Sequence, residues 1–146
     1  MTRDATAADA DELCRLLTQL GYPTTPARIA ATLPAASRDR GAVVIAESDN
    51  GGLAGFVAYQ IVYFFEDAAP RCRITALAVD HQARRRGVGR TLLDEVEHRA
   101  RACGCTEIEV SSARRPERDA AHRFYPVAGF ADAAATSAFY SKRLDG

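Results

Sequence analysis

The stretch Ile74–Leu93, ITALAVDHQARRRGVGRTLL, decides the architecture. It opens as a β-branched, apolar strand and breaks near Asp80. Three consecutive arginines then lead into Gly87 and Gly89, and a helical pattern follows at once. In that helix Leu92, Leu93, Val96, Ala100 and Cys103 form an inward stripe, while Asp94, Glu95, Glu97, Arg99 and Arg101 face out. Gly104 ends it in the C′ position. Where a strand turns into a helix, unpaired backbone N–H groups and the positive end of the helix dipole converge, and an anion fits there. Gly87 and Gly89 remove side chains, let amides close on such an anion and permit positive φ. Arg84, Arg85, Arg86 and Arg90 can add charge-assisted contacts. The competing reading is a plain strand–helix turn with a solvated basic edge, and G-x-G alone does not choose between them. The segment is not a Walker A loop, and the third glycine of a dinucleotide fingerprint is replaced by Leu92.

The rest of the chain restricts what the arginines serve. At 146 residues a single domain over 1–146 is expected, long enough to bury a core. Apolar residues make up 47% and charged residues 26%, as in ordinary globular proteins. Nineteen basic side chains balance nineteen acidic ones, so the basic excess of a nucleic-acid binder is missing and the arginine run needs a local explanation. The opening MTRDATAADADELCRLL carries acids where an export signal has basic and apolar regions. The longest apolar run, LAGFVAYQIVYFF, is interrupted by Gln60 and is too short for a bilayer. A cytoplasmic protein with no membrane partner is therefore expected. Cys14, Cys72, Cys103 and Cys105 form no C-x-x-C pair, and His81, His98 and His122 are scattered, so no metal site is expected and the thiols read as buried and free.

Before the central motif, Asp9 is placed to cap a helix carrying Leu13, Leu16, Leu17 and Leu20, which Gly21 stops. Thr25 and Pro26 open a second helix with Ile29 and Leu33 inward. AVVIAES, the turn DNGG and LAGFVAYQIVYFF predict a hairpin, and CRITALAVD the next strand. Beyond the central helix, TEIEVSS predicts a strand, ERDAAHRFYPVAG a helix and SAFYSKRL a closing strand. Strands clustered early and helices interleaved later predict an α/β (α+β) fold, a mixed sheet with helices on both faces.

Two motifs at once give the reading its specificity. Leu77-Ala78-Val79 followed by Arg84-x-x-Gly87-x-Gly89 resembles the acetyl-CoA-binding motif of the GNAT superfamily of N-acetyltransferases: a strand ending in L-x-V, a short loop, and [Q/R]-x-x-G-x-[G/A] opening a helix. ERDAAHRFYPVAGF is similar to that family's second motif, with Ala121, Tyr125, Gly129 and Phe130 at its spacing. RDATAADADELCRLL is similar to its opening strand and helix, so the likeness runs through nearly the whole chain. Within the superfamily, RDAAHRFYPVAGF and TSAFYSKRL most resemble small bacterial members such as aminoalkylphosphonate N-acetyltransferases. The resemblance implies a mixed, mostly antiparallel sheet whose two central strands splay apart and admit the cofactor.

It also implies acetyl transfer from acetyl-CoA to a small-molecule amine by direct attack. The backbone of Leu77, Ala78 and Val79 would pair with the pantetheine arm, and the turn of Arg84, Arg85, Arg86, Gly87, Val88, Gly89 and Arg90 would hold the pyrophosphate. Tyr125 stands where the family's tyrosine protonates the departing thiolate; a phenol of pKa ~10 is a proton donor at neutral pH. Two departures stand out. Many relatives offer a carboxylate where this chain has Arg73, leaving Glu66, Asp67, Glu109, His122 or a water relay as the base. The family often has Asn where this chain has Arg118. Arg73, Arg114, Arg115 and Arg118 together would favour an acceptor bearing a carboxylate or phosphonate; equally, they are surface arginines paired with Glu117 and Asp119. His122 reads equally as a solvent-facing helix residue. Alternatives from other classes stay open: a non-catalytic acetyl-CoA sensor, or a protein N-acetyltransferase. The family's dimers leave a homodimer open as well, with SAFYSKRL as the segment that would pair across it.

Overall fold

A computed structural model describes residues 1–38, 40–111, 118–133 and 137–144. The chain order is β1 (Thr2–Asp4), α1 (Ala10–Leu20), α2 (Pro26–Ala36), β2 (Ala42–Glu47), β3 (Leu53–Val62), β4 (Arg71–Val79), α3 (Val88–Ala102), β5 (Glu107–Val110) and α4 (Asp119–Val127). One sheet runs in the order β1-β2-β3-β4-β5. Its first three pairings are antiparallel and the β4–β5 pairing is parallel, so the expected mixed, mostly antiparallel sheet is present.

Both faces are covered. Leu13, Leu16, Ile29 and Leu33 of α1 and α2 pack on Val43, Ile45 and Phe56. Leu92, Leu93, Val96 and Ala100 of α3, with Tyr125 of α4, pack on Val44, Val57, Ile74 and Leu77. The alternation of Val43 with Val44 and of Ile45 with Ala46 between the two clusters is the two-residue period of a strand buried on both sides.

Several local expectations are corrected. Asp9 occupies the N-cap position of α1 but makes no capping bond there; its carboxylate instead accepts from Thr6 N–H at 2.8 Å and pairs with Arg3 at 2.9 Å. Thr25 does cap α2, accepting from Arg28 N–H at 3.2 Å. β3 stops at Val62 and leaves Tyr63 and Phe65 exposed, because the strand runs out of partner beyond Arg71. The closing strand expected over SAFYSKRL is not formed: residues 137–144 are irregular, with Phe139, Tyr140 and Leu144 almost fully exposed. Its β-propensity has no neighbour to satisfy, and propensity without a packed face does not make a strand.

The sheet opens at one place. β4 pairs with β3 over its whole length, from Arg71 to Val79, but with β5 only over Arg71–Ile74. Thr75 is an extra residue in β4, between Ile74 opposite Tyr59 and Ala76 opposite Ala58. A bulge bends its strand and steepens the twist, and here it falls at the residue after which β5 lets go. Among the described residues, Thr75–Val79 therefore keep a free backbone edge on the β5 side.

Candidate active site

The free edge leads directly into the arginine–glycine turn. Asp80 ends β4 and caps a short 3₁₀ turn over His81–Ala83. It is pinned from α1: Gln19 Nε2 donates to Asp80 at 3.2 Å, Arg15 pairs with it at 3.1 Å, and His81 N–H donates back to Gln19 at 3.2 Å. Burial raises the Asp80 carboxyl, but the Gln19 amide, Gln82 N–H and Arg15 outweigh it and hold it below the usual range. Arg15, Gln19 and Asp80 were not singled out from sequence; an Asp closing a strand before a turn is the only local trace of the arrangement.

Past the 3₁₀ turn, Arg85 and Gly87 both adopt left-handed backbone, with φ 65° and 78°. Gly87 is the N-cap of α3 and no side chain caps it. The first intrahelical bond runs from Thr91 N–H to the Gly87 carbonyl at 2.9 Å, which leaves the amides of Val88, Gly89 and Arg90 without helical partners. Arg84, Arg85 and Arg86 are exposed, and among the described residues none has a carboxylate partner; Arg90 pairs with Asp94 at 3.0 Å. The two glycines differ. Gly87 needs its positive φ, whereas Gly89 is an ordinary helical residue whose added Cβ would meet Phe124 and Val79 at 3.5 and 3.6 Å.

That contact places α4 beside the turn. Tyr125 follows Phe124 and is buried, its ring 5.8 Å from Phe124 and 5.6 Å from Phe130. Burial pushes its phenol above the ordinary value, and the nearby Arg118 guanidinium pulls the other way. Leu77, Val79, Val88 and Tyr125 thus share one apolar cluster with Phe124, which touches the turn at Gly89, while Ala78 packs on the opposite face of the sheet.

The other candidates part company. Arg73 lies in the paired half of β4, register partner of Glu109, and its guanidinium pairs with that carboxylate at 2.7 Å. Burial raises the Glu109 carboxyl, yet Arg73 and Arg71 together bring it below the usual range. Glu66 is exposed on the β3–β4 loop, and Asp67 beside it pairs with Arg71. His122 is exposed on α4 and lines, with Tyr125, Glu109 and Val110, a groove of about 990 Å³ along the outer edge of β5. Arg114, Arg115 and Glu117 lie outside the described residues. Arg118, at the start of α4, is 5% exposed and donates from Nη2 to the Tyr22 hydroxyl at 3.2 Å. Tyr22 is 96 positions away and carried no signal in the sequence.

All four cysteines are free. Cys72 is buried against Cys103 and Cys105, and burial pushes its thiol up to about 12, far from a reactive thiolate. Among the described residues no group of His, Cys, Asp and Glu is arranged to hold a metal ion, and no helix is long and apolar enough to cross a membrane.

Comparison with known proteins places this geometry. The acetyltransferase (GNAT) family model matches residues 10–130, and the chain belongs to that family of acetyl-CoA-dependent acetyltransferases. No curated protein sequence matches it significantly. Among solved structures it is similar to a ribosomal-protein-alanine N-acetyltransferase from Brucella melitensis biovar Abortus (20% identity, 99% of this chain and 98% of that one, TM-score 0.78). It is similar to a GNAT family acetyltransferase from Staphylococcus aureus (23% identity, 99% and 98%, TM-score 0.77). A transcriptional regulator from Bacillus halodurans is also alike (18% identity, 99% and 99%, TM-score 0.76). At these identities the likeness establishes the fold alone.

Proposed function

We propose that the chain transfers the acetyl group of acetyl-CoA to the primary amine of a small molecule, with Tyr125 as general acid. The observation that supports this reading is that a free strand edge leads directly into an uncapped helix N-terminus, with α4 packed beside that turn through Phe124. The edge is that of β4 over Thr75–Val79, the helix end is that of α3 behind Gly87, and α4 carries the buried Tyr125 phenol. The edge and the helix end fit the co-substrate on physical grounds. A free strand edge takes an extended amide chain as a further strand would, and unpartnered helix amides behind a left-handed glycine take a pyrophosphate.

Bound there, acetyl-CoA supplies an activated acyl carbon and a thiolate leaving group. The backbone of Leu77, Ala78 and Val79 orients the pantetheine arm, and Arg84, Arg85, Arg86, Gly87, Val88, Gly89 and Arg90 hold the phosphates. The acceptor nitrogen forms its bond to the acyl carbon as the carbon–sulfur bond breaks. Tyr125 gives its phenolic proton to the sulfur and is reprotonated from water. The nitrogen loses its own proton to solvent, since Glu109 is tied to two arginines and held low. A phenol raised by burial stays protonated throughout the neutral range, as the role requires.

The reading includes a cytoplasmic setting. It also includes a homodimer whose apolar contact comes from the bare Phe139 and Tyr140 side chains, which sedimentation of Phe139→Ser would test. The function itself is tested by free-thiol release from acetyl-CoA across a panel of small amines, wild type beside Tyr125→Phe, with calorimetric CoA binding as control. Turnover that falls at least tenfold in the variant while CoA still binds supports it. CoA binding without turnover of any amine would favour a sensor or a protein acceptor.

A further inference from the structure

Among the described residues, the most deeply buried arginine of the molecule has no acid beside it. Arg3, Arg15, Arg71, Arg73 and Arg99 have side chains 27–43% exposed, and each is paired with at least one carboxylate. Arg118 is 5% exposed and is paired with none among the described residues. Its Nε is the sole buried side-chain nitrogen or oxygen, among those residues, that has no hydrogen-bond partner. Its Nη2 donates to a neutral phenol, Tyr22, and its carbon lies 5.3 Å from the centre of that ring. A buried guanidinium is expensive to desolvate and is ordinarily repaid by a carboxylate or phosphate that accepts from its fork of donors. Here the fork is formed, stacked on an aromatic wall and left short of its acceptor.

The position tells which ligand would bring one. Tyr22 follows Gly21 at the end of α1, on the sheet face opposite α3. Arg118 opens α4, which packs on the α3 side, and meets Tyr22, which follows α1. The two residues therefore join the start of α4 to the end of α1, and Tyr22, 40% exposed, keeps a route to solvent. Arg118 is also close enough to Tyr125 for its charge to be felt there.

We propose that Arg118, stacked on Tyr22, is the seat for an acidic group on the acceptor, so that the enzyme's substrates are small amines that also carry a carboxylate or phosphate. Arg73 takes no part, because Glu109 already answers its charge. The Tyr22 hydroxyl holds the place of one ligand oxygen, and Nε is left for the second. This assignment rests on the acetyl-transfer reading and deepens it.

The test compares matched amines differing only in the acidic group: β-alanine against β-alaninamide, and O-phosphoethanolamine against ethanolamine. Thiol release is measured with wild type, Arg118→Gln, Arg118→Lys and Tyr22→Phe. Wild type is expected to prefer the acidic member of at least one pair. Arg118→Gln should raise KM for that member roughly tenfold to a hundredfold, while KM for acetyl-CoA and KM for the neutral member stay as in wild type; any change in kcat that comes through Tyr125 falls on both members alike. Arg118→Lys, which keeps charge without the fork, should recover only part of the loss. The pair that responds tells carboxylate from phosphate. Equal use of acidic and neutral members by wild type, or a preference that survives in Arg118→Gln, overturns the proposal while the acetyltransferase reading stands. A rise in KM for acetyl-CoA instead shows that Arg118 serves the co-substrate, and overturns it too. If Arg118→Gln does not fold, Tyr22→Phe decides: an altered acid-to-neutral ratio supports the site and an unaltered one rejects it. If wild type acetylates none of the four amines, calorimetry of β-alanine and O-phosphoethanolamine with the CoA-loaded protein replaces turnover. Binding lost in the variant supports the seat, and no binding rejects it.

Discussion

Arg73 on β4 and Glu109 on β5 are register partners in the parallel ladder, and Nη2 meets Oε2 at 2.7 Å. Arg71 joins the same carboxylate at 3.3 Å. The pair is the last but one of the ladder, followed by Ile74 opposite Val110 and then the bulge at Thr75, so it clamps β5 to β4 close to where the strands part. Its energetic weight is modest: the two side chains are 43% and 25% exposed, and pairs of this kind contribute about 1 kcal/mol or less. Because the Glu109 carboxyl is lower in the folded chain than in the unfolded one, its contribution is full above the ordinary glutamate value and disappears as pH falls through the depressed one. Glu109→Gln is therefore expected to melt roughly 2–4 °C below wild type at pH 7, and to converge with it toward pH ~3. Thermal melts across that range check it; a gap that does not narrow in acid would contradict the assignment.

The same pair shapes the pH dependence of catalysis. A carboxylate held low by two guanidiniums is a weak base, and with the proposed loss of the proton to solvent the acceptor nitrogen is expected to arrive already deprotonated. The acid limb of kcat/KM is expected to follow the acceptor's own pKa, moving by about one pH unit when an amine of pKa one unit lower is used. With Tyr125 as the proposed acid, its phenol raised by burial, the alkaline limb is expected not to set in below pH ~10. Profiles for two acceptors of different basicity decide the point. An acid limb fixed at one pH for both would assign it to a protein group.

Most of the frame was readable from spacing. The leucines of α1, the stripe of α3 and the Thr25–Pro26 start of α2 rest on local periodicity and capping, which a linear sequence displays. The strand with the free edge, the glycine turn and the helix that carries Tyr125 were likewise legible, because short motifs carry them. What escaped notice depends on distance along the chain. Arg118 meets Tyr22 across 96 positions, and Arg73 meets Glu109 across 36, so neither partner could be named from spacing. SAFYSKRL misled for a related reason: its aromatic pair shows strand propensity but not whether a neighbour is there to pair with.

Gly55 on β3 provides a test of how closely β3 is packed against β4, the strand with the free edge. A Cβ built on it would lie 2.6 Å from the Ala78 carbonyl oxygen, a backbone atom that cannot swing aside. Leu92 and Val88 of α3 close the remaining space at 3.2 Å. Gly55→Ala is expected to cost about 1–3 kcal/mol in chemical denaturation. It should also weaken CoA binding, since the shift it forces falls on Ala78, in the free half of β4. Unchanged stability would mean that β3 and β4 are less tightly apposed than described.

Gly87 and Gly89 look equivalent in the motif and are not equivalent in space. Gly87 sits at φ 78° with nothing within 4 Å of an added Cβ, so alanine there meets no clash but is forced into left-handed backbone. Gly89 has ordinary helical backbone in the first turn of α3, and its added Cβ would make ordinary contacts with Phe124 and Val79. Gly87→Ala is expected to lose about 1–2 kcal/mol of stability, and CoA binding with it as the turn relaxes away from positive φ. Gly89→Ala should hold or gain up to about 1 kcal/mol from helix propensity and keep its CoA affinity. Calorimetric CoA titration beside chemical denaturation separates the two effects. Equal losses of affinity in both variants would mean that the anion needs bare backbone at Gly89 as well, and that close approach rather than the left-handed turn is what the motif supplies.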